Sequence, residues 1–112
     1  MTLFEKIIAR EIPSQIIGEG DDWLAFHDIN PQAPVHFLVV PKRVIPRLSE
    51  SVCLDENLLG TLLAAAVLMA SQEGLAEKGY RVVINCGEYG GETVPHLHLH
   101  VLGGRQMKWP PG

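Results

Sequence analysis

The sequence predicts one α+β domain, an antiparallel five-stranded sheet packed with two helices. Its 112 residues leave room for a single domain. Two segments carry apolar residues at helical spacing, and five short segments are rich in β-branched or aromatic residues. The predicted order is αβββαββ, and the links between consecutive strands are too short for parallel crossovers. We therefore expect antiparallel neighbours and a single unit covering residues 1–112.

The first predicted helix covers residues 2–10, with Thr2 at its N-cap. The second is predicted to begin after Asp55, which can cap it, and to run to about Glu77, where Gly79 stops it. Its apolar positions repeat at helical spacing and are Leu58, Leu59, Leu62, Leu63, Ala66, Val67 and Ala70.

The predicted strands follow the remaining apolar segments. They cover residues 16–19, 23–28, 35–40, 81–85 and 96–102. Gly20-Asp21-Asp22 is a hairpin signal between the first two strands. Asn30-Pro31 begins a rigid turn before the third strand. A loop with three glycines, residues 86–92, precedes the last strand.

Composition narrows the class of partner. The formal net charge is −4 and the sequence has no lysine or arginine cluster, which argues against binding to a nucleic-acid backbone. No apolar run approaches the roughly 20 residues that span a bilayer, and the first residues lack a signal-peptide pattern. We therefore expect a cytoplasmic protein with no membrane partner. Cys53 and Cys86 lack metal-site spacing and are expected to be reduced thiols.

The most informative segment is His96-Leu97-His98-Leu99-His100-Val101-Leu102. Alternate side chains of a strand share one face at about 6.6–6.8 Å spacing, so the three imidazoles are expected on one face. Each buried imidazole needs partners for one donor and one acceptor. Three interpretations follow: a polar face that meets water, a metal site, or nucleophilic catalysis by the central imidazole.

Catalysis is favoured over a metal site. The outer imidazoles would lie about 13 Å apart on a regular strand, too far to share one ion easily, and the histidine segment itself contains no cysteine or carboxylate. The loop Gly87-Glu88-Tyr89-Gly90-Gly91 lets backbone amides turn towards an anion, and Thr93 adds a hydroxyl. No lysine or arginine occurs between Val82 and Gly104. We therefore expect no metal, no cofactor and a substrate with a single phosphorus at the site.

The histidine segment resembles the signature of the histidine triad (HIT) family. The similarity extends over nearly the whole chain and includes Phe26-His27-Asp28-Ile29, Pro31-Gln32-Ala33-Pro34, His36-Phe37-Leu38-Val39-Val40-Pro41 and Gly103-Gly104-Arg105-Gln106-Met107. Three histidines, without a final glutamine, resemble the hydrolase branches rather than the nucleotidyl transferases. The short chain and its ending Trp109-Pro110-Pro111-Gly112 resemble the nucleotide-binding branch, the purine nucleoside phosphoramidases.

This resemblance implies hydrolysis of adenosine or guanosine 5′-phosphoramidates and aminoacyl-adenylates through a nucleotidyl-histidine intermediate. It also implies a homodimer in which two five-stranded sheets join into one, with residues 103–112 packed at the interface. Trp109 would then reach the partner subunit's site. The alternative function is a nucleotide-binding or scaffolding protein without catalysis.

The resemblance assigns a role to each residue of the candidate catalytic group. His98 would attack the α-phosphorus, and its intact imidazole favours an enzyme because binding alone would not require it. His96 would orient the nucleophile, and His36 would support the histidine network. His100 and Thr93 would hold phosphate oxygens, with Thr93 standing where the family usually has serine.

The resemblance also implies contacts to the rest of the nucleotide. Asp28, with Ile29 beside it, would accept hydrogen bonds from the ribose hydroxyls, and Asn85 would contact the ribose-phosphate. Backbone amides near Gly91 and Glu92 would hold phosphate oxygens. The base would lie against a wall formed by Leu3, Phe4, Ile7, Phe26, His27 and Leu38.

Overall fold

The computed structural model describes residues 1–51 and 55–112 of the chain. Its elements are α1 (Leu3–Ile8), β1 (Ile16–Glu19), β2 (Trp23–His27), β3 (Val35–Pro41), the 3-10 helix η1 (Leu48–Glu50), α2 (Glu56–Gln72), β4 (Tyr80–Val83) and β5 (Leu99–Gly103). The strands form one antiparallel sheet in the order β1-β2-β3-β5-β4. The predicted α+β class is confirmed. The thiol predicted at Cys53 lies outside the described residues.

A capping box fixes the start of α1. The Thr2 hydroxyl accepts a hydrogen bond from the Glu5 amide at 3.1 Å, and the Glu5 carboxylate accepts one from the Thr2 amide at 2.9 Å. The helix ends at Ile8, earlier than predicted, and Arg10 takes a left-handed conformation with φ of 62°. The N-terminal end of α1 is therefore fixed by Thr2, the N-cap residue that the sequence predicted.

Helix α2 begins directly after Asp55, as predicted, but ends earlier than predicted. Asp55 occupies the N-cap position, but its side chain makes no capping bond there and instead pairs with Arg43. The helix ends at Gln72 and not near Glu77, because Gly74 adopts a φ of 80°. The stop predicted at Gly79 is therefore wrong, because Gly74 ends the helix five residues earlier in the chain.

The central strands β2 and β3 are buried on both faces because the two helices cover opposite sides of the sheet. One core cluster joins α2 to one face and contains Ala25, Phe37, Val39, Ile45, Leu62, Ala65, Ala66, Met69, Ala70, Leu75, Leu97, Leu99 and Val101. The other cluster joins α1 to the opposite face and contains Phe4, Ile7, Leu24, Phe26, Leu38 and Val40. Alternate residues of β3 thus enter different clusters, as the twofold period of a strand requires.

The last strand begins at Leu99, so the prediction of a strand from residue 96 was wrong. The segment 96–98 leaves the ladder because Pro41, at the end of β3, has no N–H to donate. The Leu97 amide donates instead to the Ile45 carbonyl at 2.6 Å. The alternation of faces nevertheless persists, since Leu97 and Leu99 both enter the α2 cluster.

The other strands match the prediction more closely. The bounds of β1 are those predicted, β2 and β3 each differ by one residue at the C-terminal end, and β4 ends at Val83 and not at 85. Neither helix, in the part of the chain that the structure describes, is long and apolar enough to cross a membrane.

Candidate active site

A cavity of about 260 Å³ opens on the α1 face of the sheet. Eleven of the predicted site residues line it: Leu3, Phe4, Ile7, Phe26, His27, Asp28, Ile29, Leu38, Thr93, His98 and His100. Four lining residues were not predicted: Ile12, Pro13, Ser14 and Val94. Apolar side chains dominate the wall, and imidazole, carboxylate and hydroxyl groups supply its polar part, as in many small-molecule sites.

The aromatic wall of the cavity reaches the histidines directly. The Phe4 ring lies 5.7 Å from the Phe26 ring and meets the His98 ring edge-on at 4.8 Å, both measured between centroids. The His98 and His100 rings lie 5.0 Å apart. The apolar part of the cavity is therefore continuous with its imidazoles.

A backbone carbonyl fixes the proton on His98. Its Nδ1 lies 2.7 Å from the carbonyl oxygen of His96, which can only accept a hydrogen bond. In the neutral ring, Nδ1 must then carry the proton, and Nε2 keeps its lone pair. The ring is 4% exposed and lines the cavity. His98 thus has the tautomer that a nucleophile acting through Nε2 requires.

His96 is a fully buried residue that does not line the cavity. Its Nε2 lies 2.8 Å from the Pro41 carbonyl, so this nitrogen carries the proton. Its Nδ1 accepts from the Thr2 hydroxyl at 3.1 Å. The capping residue of α1 and the end of β3 therefore hold the ring, and through it the carbonyl that orients His98.

His36 and His100 form a second chain of imidazoles. The Gln32 amide donates to His36 Nδ1 at 3.0 Å, so the neutral His36 ring carries its proton on Nε2. That nitrogen donates to His100 Nδ1 at 2.9 Å and lies 3.4 Å from an Asp28 carboxylate oxygen. The proton of neutral His100 is consequently on Nε2. A ring that lines the cavity thus offers a hydrogen-bond donor.

Asp28, His36 and His100 also place three possible metal ligands within 4.8 Å of one another. Asp28 lies 68 residues before His96 in the sequence and reaches the triad only through the fold. Metal binding by His36 Nε2 would move the proton of that ring to Nδ1, opposite the Gln32 amide, which is itself a donor. The local chemistry therefore favours a proton-ordering cluster over a metal centre.

Burial keeps these imidazoles neutral. It lowers the pKa of His100 to about 4, with positive charge on His98 and His36 acting in the same direction. Burial also lowers the pKa of His36 and of His96, although the Asp28 carboxylate opposes the shift at His36 and the Pro41 carbonyl opposes it at His96. Near pH 7 the three rings act as hydrogen-bonding groups and not as cations.

The glycine loop is held by a side chain, and its amides point elsewhere than predicted. Gly91 N donates to the Glu88 carbonyl and Glu92 N to the Gly87 carbonyl, both at 3.0 Å. Neither Gly91 nor Glu92 lines the cavity. The Glu92 carboxylate accepts from Arg47 Nε at 2.9 Å and from the Gly87 amide at 3.0 Å. These bonds, in that order, lower the pKa of Glu92.

Three more predicted residues stay away from the cavity. His36 is buried behind His100, Asn85 lies just after β4, and Trp109 is 82% exposed near the C-terminus. A contact between Trp109 and the cavity of its own chain is therefore absent among the described residues.

Several site residues had no signal in the sequence. Arg47 and Glu92 are 45 positions apart, and the Gln32 contribution is a backbone amide, which residue type does not reveal. Ser14 lies between predicted elements and reaches the cavity only through the turn that follows α1. A search for paired charges across the chain could have suggested the Arg47–Glu92 ion pair, but not its place in the loop.

Comparison with known proteins shows that this chain is similar to proteins of the HIT family. The model of the HIT domain matches residues 9–107. A HIT-like protein of Synechococcus elongatus is 57% identical over 99% of this chain and 96% of its own length. The adenylylsulfatase HINT1 of Arabidopsis thaliana is 52% identical over 99% of this chain and 76% of its own length.

Solved structures agree with the sequence comparison. A HIT family hydrolase from Legionella pneumophila superposes with a TM-score of 0.97 at 48% identity, with all of both chains covered. A histidine triad protein from Clostridium difficile superposes with a TM-score of 0.92 at 39% identity, with 95% of this chain and 92% of the other covered.

Stability should depend on the neutral state of His100. The unfolded chain holds this group at a pKa near 6.5, against about 4 in the fold, so unfolding takes up protons between these values. The free energy of unfolding should therefore fall as pH drops from about 6.5 towards 4, by roughly 2 kcal/mol from this residue. The pKa values of His36 and His96 are also lowered in the fold, so these residues likewise reduce the free energy of unfolding as pH falls. Urea denaturation at about pH 7 and pH 4.5 measures the difference.

The variant His100→Gln supplies the control, because it cannot titrate in this range. Its unfolding free energy should fall less between the two pH values than that of the unmodified protein. Equal losses in the two proteins would contradict the assignment of a buried neutral imidazole to His100.

Proposed function

The chain belongs to the HIT family, and from this premise we propose that it is a hydrolase of purine nucleoside 5′-phosphoramidates and aminoacyl-adenylates. One observation carries the proposal. His98 lines a cavity whose wall is mainly aromatic and aliphatic, and it donates Nδ1–H to a carbonyl, which leaves the Nε2 lone pair for attack on phosphorus.

In the first step, Nε2 of His98 attacks the α-phosphorus and the bond from phosphorus to nitrogen breaks. The ring acquires positive charge, which the His96 carbonyl stabilises through the Nδ1–H bond. His100 donates Nε2–H to an oxygen of the phosphoryl group.

The departing amine needs a proton. Because His36, His96 and His100 are neutral near pH 7, we assign delivery to the Thr93 hydroxyl or to a water beside it. Water then attacks the nucleotidyl-histidine, the bond from phosphorus to Nε2 breaks, and nucleoside monophosphate leaves. His98 returns to its neutral tautomer, and the proton of the attacking water restores the Thr93 hydroxyl, or the water, that protonated the amine.

The rest of the nucleotide fits the cavity by chemical type. The base would lie between Phe4, Phe26 and Leu38, where aromatic and aliphatic surface offers stacking without a charged group. Asp28 would accept from the ribose hydroxyls, with Ile29, which is 93% exposed in the free chain, closing over the sugar.

A second leaving group is supported by one relative. The Arabidopsis protein that is 52% identical is named an adenylylsulfatase. Adenylyl sulfate presents the same α-phosphorus, and sulfate can depart without a proton. Attack by His98 would be unchanged, whereas the contribution of Thr93 would become smaller. The two substrates therefore probe different parts of one site.

The protein is further proposed to act as a homodimer, with residues 1–112 as one HIT domain in each subunit. Helix α2 leaves Leu63, Val67 and Leu68 about half exposed, at 49, 60 and 51%. Strand β4, which follows α2 in the chain, is an edge of the sheet, with Val82 37% exposed. An exposed apolar helix face and a sheet edge both suit pairing with a second copy. Residues 103–112, including Trp109, would then pack near the partner's cavity.

Replacement of the nucleophile should remove turnover. His98→Ala is expected to lower kcat for adenosine 5′-phosphoramidate by at least about a thousandfold, while adenosine monophosphate still binds because the wall of the cavity is intact. Release of adenosine monophosphate is measured with adenosine 5′-phosphoramidate and with adenylyl sulfate as substrates. Mass spectrometry after alkaline denaturation should find the nucleotidyl adduct on His98 of the unmodified protein. A variant with unchanged turnover would refute the nucleophile, and an unmodified protein that binds without turnover would favour the scaffolding alternative.

A charge on the exposed face of α2 should break the dimer. Val67→Glu is expected to shift the sedimentation coefficient from that of a dimer to that of a monomer. Asn57→Glu is the matched control, since it adds the same charge to an exposed position about 15 Å away along the same helix. A monomeric unmodified protein, or a Val67→Glu variant that remains dimeric, would contradict this interface.

A further inference from the structure

We propose that Arg105 is a positioning residue that sets the protons on His36 and His100 by holding the backbone of Gln32. This inference rests on the proposed function for its consequence in catalysis, but the hydrogen-bond chain that carries it is independent of any substrate. The chain begins in the segment after β5 and ends at a ring that lines the cavity.

Arg105 reaches across the fold to a loop that is 73 residues earlier in sequence. Its Nε and Nη2 both donate to the Gln32 carbonyl, at 3.3 and 3.0 Å. Its Nη1 donates to the Gln106 carbonyl at 3.3 Å. Next to it, Gly104 has a φ of 89°, and a Cβ there would lie 2.9 Å from Pro34. The start of the C-terminal segment is therefore packed against the loop that contains Gln32.

The Gln32 residue is held at both of its backbone polar groups. Its carbonyl accepts from Arg105, and its amide donates to His36 Nδ1 at 3.0 Å. The same loop is tied locally, because the Asp28 carboxylate accepts from the Asn30 amide at 2.9 Å. Arg105 adds hydrogen bonds to this loop from a distant part of the chain. By fixing the Gln32 backbone, these bonds also fix the position of the Gln32 amide relative to His36 Nδ1.

That amide selects one of two proton arrangements. With Nδ1 occupied by a donor, His36 carries its proton on Nε2, donates to His100 Nδ1, and leaves the His100 proton on Nε2. If the Gln32 amide moves away, His36 can hold its proton on Nδ1 instead. His100 then donates Nδ1–H to His36, and its Nε2 presents a lone pair. A lone pair would repel the phosphoryl oxygen that the other arrangement binds.

Loss of the His100 Nε2–H donor should destabilise the transition state more than it weakens substrate binding. Negative charge on the phosphoryl oxygens grows during attack, so loss of the His100 donor removes an interaction that strengthens in the transition state. The apolar wall for the base does not involve Arg105. A change at Arg105 should therefore lower kcat while KM changes little.

The experiment compares Arg105→Met with Arg105→Lys and with the control Lys108→Met. The control removes the same charge from an exposed position of the same segment. Imidazole nitrogen NMR reports the tautomer of His36 without substrate. We expect the Nε2–H form in the unmodified protein and the control, a raised Nδ1–H fraction in Arg105→Met, and an intermediate state in Arg105→Lys. The kcat of Arg105→Met should be about tenfold lower, with KM within about threefold.

The two measurements separate this proposal from the proposed function. If the tautomer of His36 is the same in Arg105→Met as in the control, the proposal is overturned, whether or not kcat falls. If the unmodified protein has no turnover of phosphoramidate, the proposed function fails, and the NMR comparison still decides whether Arg105 sets the tautomer.

Discussion

The site depends on a set of hydrogen bonds that leaves each of four imidazoles one place for its proton. The bond from His98 Nδ1 to the His96 carbonyl is the central one, because it reserves Nε2 for phosphorus. The Pro41 carbonyl orders His96, and the Gln32 amide orders His36 and through it His100. Backbone groups, whose donor or acceptor character cannot change, therefore set the tautomers of rings whose character can.

The fold supplies those backbone groups by what it does at strand ends. Pro41 ends β3 without an N–H, so residues 96–98 leave the ladder and the His96 carbonyl becomes available to a side chain. Helix α1 then covers the imidazoles, and its capping residue Thr2 bonds His96. Burial is also what keeps the pKa values of His36, His96 and His100 below their ordinary range. Geometry and protonation thus have the same structural origin.

The sequence predicted the fold class and the number of helices and strands, because period and alternation are local properties, and the resemblance to the HIT family implied most of the cavity wall. The sequence-based prediction failed at two element ends. The stop of α2 comes from the local left-handed conformation of Gly74, whereas the start of β5 at Leu99 depends on the bond from the Leu97 amide to the distant Ile45 carbonyl. It also assigned the Gly91 and Glu92 amides to phosphate, although both bond inside the loop. The contributions of Gln32 and Arg105 could not be predicted from residue types, because Gln32 acts through its main-chain amide and Arg105 acts on the main-chain carbonyl of Gln32.

The most direct test of this account is a neutron crystal structure of the unliganded protein near pH 7, which locates each exchangeable deuterium on the imidazoles. The account predicts deuterium on Nδ1 alone in His98, and on Nε2 alone in His36, His96 and His100. Deuterium on Nε2 of His98 would contradict it, because the lone pair needed for attack on phosphorus would then face the His96 carbonyl.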